Sequence, residues 1–211
     1  VTAGAGPGGG RTLRIGIDLD DVLAESLPGF LAAFERRFGI HTPLARGRWE
    51  LFDDRPHLRA ADRRAFYADL MRTDFLGTRP PDPEGLAAVR ALHAAGHHLV
   101  LVTSRPTAFE LVTRRWLARH RIAGCFAEVV HRDGAQRVAF KPRVARERSL
   151  GWFIEDELPV AVALARAGVR VLLMDRPWNR GPRPGAIIPV ASWPEALERI
   201  AALARAATGN A

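Results

Sequence analysis

The chain has 211 residues, 47% apolar and 26% charged, a balance that suits one soluble α/β domain with an insertion and leaves no apolar run long enough to span a bilayer. Cys125 is the single cysteine, so the sequence holds no intrachain pair, nothing points to an oxidising compartment, and the cytoplasm is the expected location. The formal charge of +8 attracts anions, but the basic residues stand in ones and twos without an aromatic-interleaved stripe; this argues against a nucleic-acid polymer and suits a small phosphorylated partner.

The first ten residues, V-T-A-G-A-G-P-G-G-G, have neither the basic start nor the apolar centre of a secretion signal, and a disordered tail is expected over 1–10. L-R-I-G-I then reads as a strand buried on both faces, and it runs into Asp18, Asp20 and Asp21. Carboxylates that close repel one another and resist burial, so the pattern asks for a cation.

From residue 25 to 81 the sequence shows no convincing strand. Two amphipathic patterns predict helices over 27–38 and 60–71, and the segment is too long for a simple crossover. It is expected to be a small helical cap above the acidic end of the first strand, with residues 11–24 and 82–211 forming the core. Trp49, Phe52, Phe66, Tyr67 and Phe75 in this segment suit either the cap's own core or stacking on a nucleobase.

Asp82-Pro83-Glu84 is a helix start signal, with Asp82 as N-cap, Pro83 at the first helical position and Gly96 as the stop. H-L-V-L-V before Thr103, G-W-F-I before Glu155 and V-R-V-L-L-M before Asp175 repeat the design of the first strand, with weaker strands expected over 126–130 and 186–190. Helices are expected over 109–120, 158–167 and 192–206, the last opening on a capping box from Ser192 to Glu195. This alternation predicts a doubly wound, Rossmann-like parallel sheet. Ligands of such sheets sit at the carboxyl ends of the strands, where Asp18, Asp20, Thr103, Ser104, Glu155 and Asp156 would converge.

Lys141 is the single lysine among 31 basic residues, and a compact ammonium is not interchangeable with a broad guanidinium; chance survival of one lysine is the alternative. Hard oxygen ligands with room left for water and a phosphate suit Mg²⁺ better than zinc. With that ion, Asp18 is a candidate nucleophile toward phosphorus and Asp20 a candidate acid and base. Thr103 and Ser104, expected beside a helix start, are candidate donors to phosphoryl oxygens; Lys141 is a candidate neutralising charge and Asp156 completes the metal site.

Asp18-Leu19-Asp20-Asp21-Val22-Leu23 resembles the first motif, D-x-D-x-x-L, of haloacid-dehalogenase-superfamily phosphatases, Val102-Thr103-Ser104 the second, Lys141 the third and Ile154-Glu155-Asp156 the acidic fourth. T-S-R-P from Thr103, the Glu155-Asp156 pair and D-R-P-W-N-R from Asp175 are similar to the branch that contains 5′(3′)-deoxyribonucleotidases. The resemblance implies a helical cap between the first two motifs, Asp18 as nucleophile, Asp20 as acid and base, and magnesium on Asp18, Asp156 and the backbone carbonyl of Asp20. It also implies a phosphomonoesterase, with nucleoside 5′-monophosphates as the expected substrates. A phosphatase for a sugar phosphate or other small metabolite, and a noncatalytic binding protein on the same scaffold, are the alternatives.

Three departures stand out. Asp21 occupies a place where this branch often has glycine, Glu155 one where it often has aspartate, and the segment before Lys141 lacks the branch's glycine-aspartate-lysine pattern. Glu155 is read equally as a cap for the following helix, and the segment from Asp175 to Arg180 as a surface turn shaped by Pro177.

Overall fold

The computed structural model describes residues 12–134 and 136–206, so the tail expected over 1–10 lies outside the described residues. Six strands, β1 (Arg14–Ile17), β2 (His98–Pro106), β3 (Glu128–Arg132), β4 (Trp152–Glu155), β5 (Arg170–Met174) and β6 (Ile187–Val190), form one sheet. Their order is β3-β2-β1-β4-β5-β6 and every pairing is parallel. The seven α-helices among the described residues are α1 (Leu27–Phe38), α2 (Ala60–Arg72), α3 (Pro83–Ala94), α4 (Glu110–Arg119), α5 (Arg137–Glu147), α6 (Leu158–Arg166) and α7 (Trp193–Ala206).

The uninterrupted apolar strands follow from burial on both sheet faces. Ile15, Ile17, Leu99 and Leu101 share a core with Leu86 and Val89 of α3 and with Trp193 and Ile200 of α7. The alternate positions Val100, Val102, Phe153 and Val171 share a second core with Phe140 and Val144 of α5 and with Val160 and Leu164 of α6. Gly16 sits in β1 because a Cβ there would come 2.4 Å from the Phe153 ring. The chain runs from β1 outward to β2 and β3, then crosses to β4 on the other side of β1. That reversal opens a crevice at the carboxyl ends of β1 and β4, where ligands of such sheets bind.

The excursion between β1 and β2 is helical, as expected. It holds α1 and α2 around a third cluster, in which Phe34 meets Phe52 at 5.2 Å and Phe66 at 5.5 Å between ring centroids, both edge to face. Gly39 ends α1 in the left-handed region (φ 67°), and its N–H returns to the Glu35 carbonyl at 2.7 Å. Its two connections run side by side, with Glu25 N–H donating to the Pro80 carbonyl at 2.9 Å and Asp82 N–H to that of Leu23 at 2.8 Å. Asp82 caps α3 by accepting from Gly85 N–H at 3.0 Å.

Three elements depart from the sequence expectation. β3 is displaced two residues toward the C-terminus of 126–130, because its edge position lets Glu128 pair with Arg148 (2.8 Å) instead of needing an apolar residue. β2 continues through Thr103 and Ser104 to Pro106, with an irregular register after Thr103. α5 is unforeseen in the sequence: Pro142 lies inside it, and burial of Phe140, Val144 and Ala145 outweighs poor local propensity. Among the described residues no helix is long and apolar enough to cross a membrane.

Candidate active site

Asp18 leaves β1 with its N–H donating to the Ile154 carbonyl at 3.1 Å, which sets it beside the end of β4. Carboxylate oxygens of Asp18, Glu155 and Asp156 lie within 4.8 Å of one another, and all three residues are buried. Lys141, only 1% exposed, reaches from α5 between two of them, 2.7 Å from Asp18 Oδ2 and 2.8 Å from Glu155 Oε2. The other oxygen of Glu155 accepts from the N–H groups of Asp156 (3.2 Å) and Glu157 (3.1 Å). Glu155 therefore holds the loop ahead of α6, in keeping with the cap reading, and also grips the lysine, which the sequence did not indicate.

Three carboxylates face one ammonium. Burial pushes Asp18 well above the ordinary aspartate range against the pull of Lys141, and Glu155 adds to the rise. Asp156 is also pushed well up, by burial first and then by the neighbouring Asp21, Glu155, Glu157 and Asp18. Burial by itself would lower Lys141, but Asp18 and Glu155 hold it above the usual lysine range. A cluster in which carboxylates outnumber the cation, built from hard oxygen donors, fits a divalent ion such as magnesium. Asp18 and Asp156 have carboxylate oxygens to offer it, whereas those of Glu155 are committed to Lys141 and the backbone.

Asp20 is engaged differently. Arg105 donates to it from Nε (2.8 Å) and Nη2 (2.7 Å), and the Ser26 hydroxyl donates at 2.5 Å. Burial opposes ionisation, yet the Arg105 guanidinium overcomes it and holds Asp20 below the usual carboxylate range. The Asp20 side chain is thus taken up by protein donors. Arg105 was missed in the sequence, although it stands in the T-S-R-P stretch; its partner lies 85 positions away.

Thr103 is buried, and its hydroxyl accepts from Arg105 N–H at 3.2 Å. Ser104 Oγ is buried without a hydrogen-bond partner among the described residues, and Ser104 lines the pocket described below. The expected helix start beside this pair is corrected: Pro106 disfavours a helical turn at Arg105, and α4 begins only at Glu110 after a single 3₁₀ turn.

Asp21 explains one departure from the glycine pattern. Its φ of 61° lies in the left-handed region, which glycine enters freely and aspartate tolerates. Its carboxylate adds a helix cap, accepting from Ser26 N–H at 2.9 Å and from Leu27 N–H at 2.9 and 3.1 Å. Burial, with repulsion from Asp20 and despite these bonds, raises Asp21 to about 7.

The segment from Asp175 to Arg180 is a brace, where a surface turn was the competing expectation. Arg176 donates to the Asp21 carbonyl from Nε (3.1 Å) and Nη2 (2.9 Å). Trp178 Nε1 donates to Asp156 Oδ2 at 2.8 Å, and Asn179 Nδ2 donates to the carbonyls of Asp156 and Met174, each at 2.7 Å.

A cavity of about 550 Å³ opens over this floor. Asp18, Asp20, Ser104, Arg105 and Asp156 line its polar base, and Phe30, Trp49, Tyr67 and Phe75 of the insertion contribute an aromatic wall. Phe52 and Phe66 instead pack inside the insertion. Arg137, also in the lining, forms ion pairs with Glu157 of the core and Glu50 of the insertion.

No family model matches the chain. It is 30% identical over 101 residues to a protein of Halalkalibacterium halodurans provisionally named a nucleotidase, covering 47% of this chain and 49% of that one, so it spans about half the length of that relative. It is 28% identical over 173 residues to a Bordetella pertussis protein provisionally named a 5′(3′)-deoxyribonucleotidase, covering 78% of this chain and 84% of the other. The structure of a haloacid dehalogenase-like family hydrolase from Streptococcus pneumoniae superposes with a TM-score of 0.67 at 15% identity, covering 90% of this chain and 98% of that one. Together with the sheet order and the helical insertion after β1, the superposition shows that the chain has the fold of haloacid dehalogenase-like hydrolases.

Proposed function

We propose that the protein is a magnesium-dependent phosphomonoesterase that works through an aspartyl-phosphate on Asp18, with nucleoside 5′-monophosphates as its substrates. One observation carries the reading: Asp18 rests one carboxylate oxygen on Lys141 and lines the floor of the pocket, where no protein donor among the described residues takes the other oxygen. Asp18, Asp156 and the Asp20 carbonyl would hold magnesium, which supplies charge neutralisation and polarises the phosphoryl group.

Asp18 attacks phosphorus, an Asp18 Oδ–P bond forms, and the ester P–O bond breaks to release the alcohol. Lys141 pulls Asp18 toward its ionised form against the burial that opposes it and spreads the charge that builds up in the transition state, and the Ser104 hydroxyl donates to a phosphoryl oxygen, with Thr103 holding the turn beneath it. Water then attacks the phosphoenzyme, its proton passes to Asp20, and the Asp18–phosphorus bond breaks to give inorganic phosphate. The grip of Arg105 on an ionised Asp20 supports this base role. In the preceding step Asp20 gives the leaving oxygen the proton that it took from water in the previous turnover, so it is ionised again when water attacks. The aromatic wall and the names of the two relatives support a nucleotide over other monoesters.

The test is phosphate release from a panel of nucleoside monophosphates and sugar phosphates with Mg²⁺ or EDTA. Nucleotides are expected to turn over fastest, EDTA to stop the reaction, and Asp18→Asn to remove it with the fold intact. Faster turnover of sugar phosphates overturns the substrate class, and unchanged turnover in the Asp18 variant overturns the mechanism.

A further inference from the structure

We infer that Trp178 is a positioning residue for the divalent cation: its indole N–H selects which oxygen of Asp156 turns toward the ion. The inference rests on the reading of Asp156 as a cation ligand. Trp178 Nε1 donates to Asp156 Oδ2 at 2.8 Å, and no other protein donor among the described residues reaches that carboxylate. An indole N–H only donates, so it cannot change partners by turning a lone pair to the same site. With Oδ2 taken, Oδ1 is the oxygen that no protein donor among the described residues engages.

Two contacts make this hydrogen bond a fixed one. The Trp178 ring packs against the aromatic cluster of the insertion, which limits its rotation. Asn179, 1% exposed, donates to the Asp156 carbonyl, and its own Oδ1 accepts from Arg176 N–H at 3.2 Å. Consecutive residues therefore clamp one aspartate, Asn179 through the main chain and Trp178 through the side chain. Groups that orient a ligand in this way are worth about 10- to 100-fold in metal affinity.

The experiment titrates Mg²⁺ alone, without substrate, into the wild-type chain and Trp178→Phe by calorimetry. Phenylalanine keeps a ring in the cluster and removes only the donor, so a loss of Mg²⁺ affinity of about 10-fold is expected, with little change in the thermal midpoint in EDTA. Trp178→His, which returns a ring N–H, is expected to recover part of the loss. Wild-type affinity in the phenylalanine variant overturns the inference, as does a histidine variant no tighter than phenylalanine. A wild-type chain that binds no Mg²⁺ overturns the cation reading and this inference together. Magnesium binding without phosphate release overturns the proposed function and leaves the inference standing.

Discussion

At the carboxyl end of the sheet, Asp18, Lys141, Glu155 and Asp156 lie buried against one another, whereas the helical insertion above them is held by phenylalanine rings and keeps most of its charges at the surface. The contrast follows from what lies beneath each region. β1 and β4 are packed on both faces, so strand ends can hold like charges together that would otherwise separate. The insertion has no strand of its own, and among its joins to the core are two adjacent connections, the Arg137 bridge between Glu50 and Glu157, and the bonds that Trp116 and Arg119 of α4 donate to the carbonyls of Arg79 and Gly77. Substitutions in the crevice should therefore disturb chemistry and charge balance, and those in the insertion should disturb the pocket wall.

The sharpest way to break this comparison is Lys141→Met, which leaves buried carboxylates without their ammonium. Phosphate release should fall by more than about 100-fold, and the urea midpoint in EDTA should report a loss of about 3–5 kcal/mol. Native stability with low activity would show that the lysine is chemical and not structural. In the insertion, Phe34→Ala should cost about 3–5 kcal/mol, since Phe34 is fully buried and meets the rings of Phe38, Phe52 and Phe66. Hydrogen exchange should speed up in α1 and α2 and stay slow in β1 and β4; equal loss of protection in the strands would mean that the two regions unfold as one.

The smallest expected effect concerns Asp21, where the two regions join. The folded chain holds a proton on Asp21 up to about pH 7, while the unfolded chain releases it near the ordinary aspartate value of 3.8. The folded state thus binds more protons between these values, so stability falls as pH rises through that window. Asp21→Asn keeps an acceptor for the Ser26 and Leu27 N–H groups, tolerates the left-handed backbone, and cannot ionise. Its advantage over the wild type in EDTA should grow from about pH 4 to 7 and then level off. An advantage independent of pH would show that Asp21 is ionised throughout.

Much of the candidate site was legible because its parts follow apolar strand runs. Asp18, Thr103, Glu155 and Asp156 follow apolar runs whose patterning is local, and Lys141 stood out by residue type. The structure places Lys141 within 2.7 Å of Asp18, although its helix was invisible to propensity. Arg105, the double duty of Glu155, and the bracing by Arg176, Trp178 and Asn179 were not legible. Each depends on a partner that sequence spacing does not indicate: Arg176 reaches across 155 positions to Asp21, and Trp178 across 22 to Asp156.

By itself, then, the sequence determined where strands and helices alternate, that the strand ends are acidic, and that a helical segment interrupts the first crossover. Hydrophobic period, N-cap signals and strand-end placement are properties of neighbours along the chain, and they survive without a fold. Tertiary structure decided which acid each cation serves: Arg105 holds Asp20 while Lys141 is shared by Asp18 and Glu155, and the indole of Trp178 turns to Asp156. Electrostatic and hydrogen-bond partners are set by distance and burial in space, and only the packed sheet brings these groups within reach.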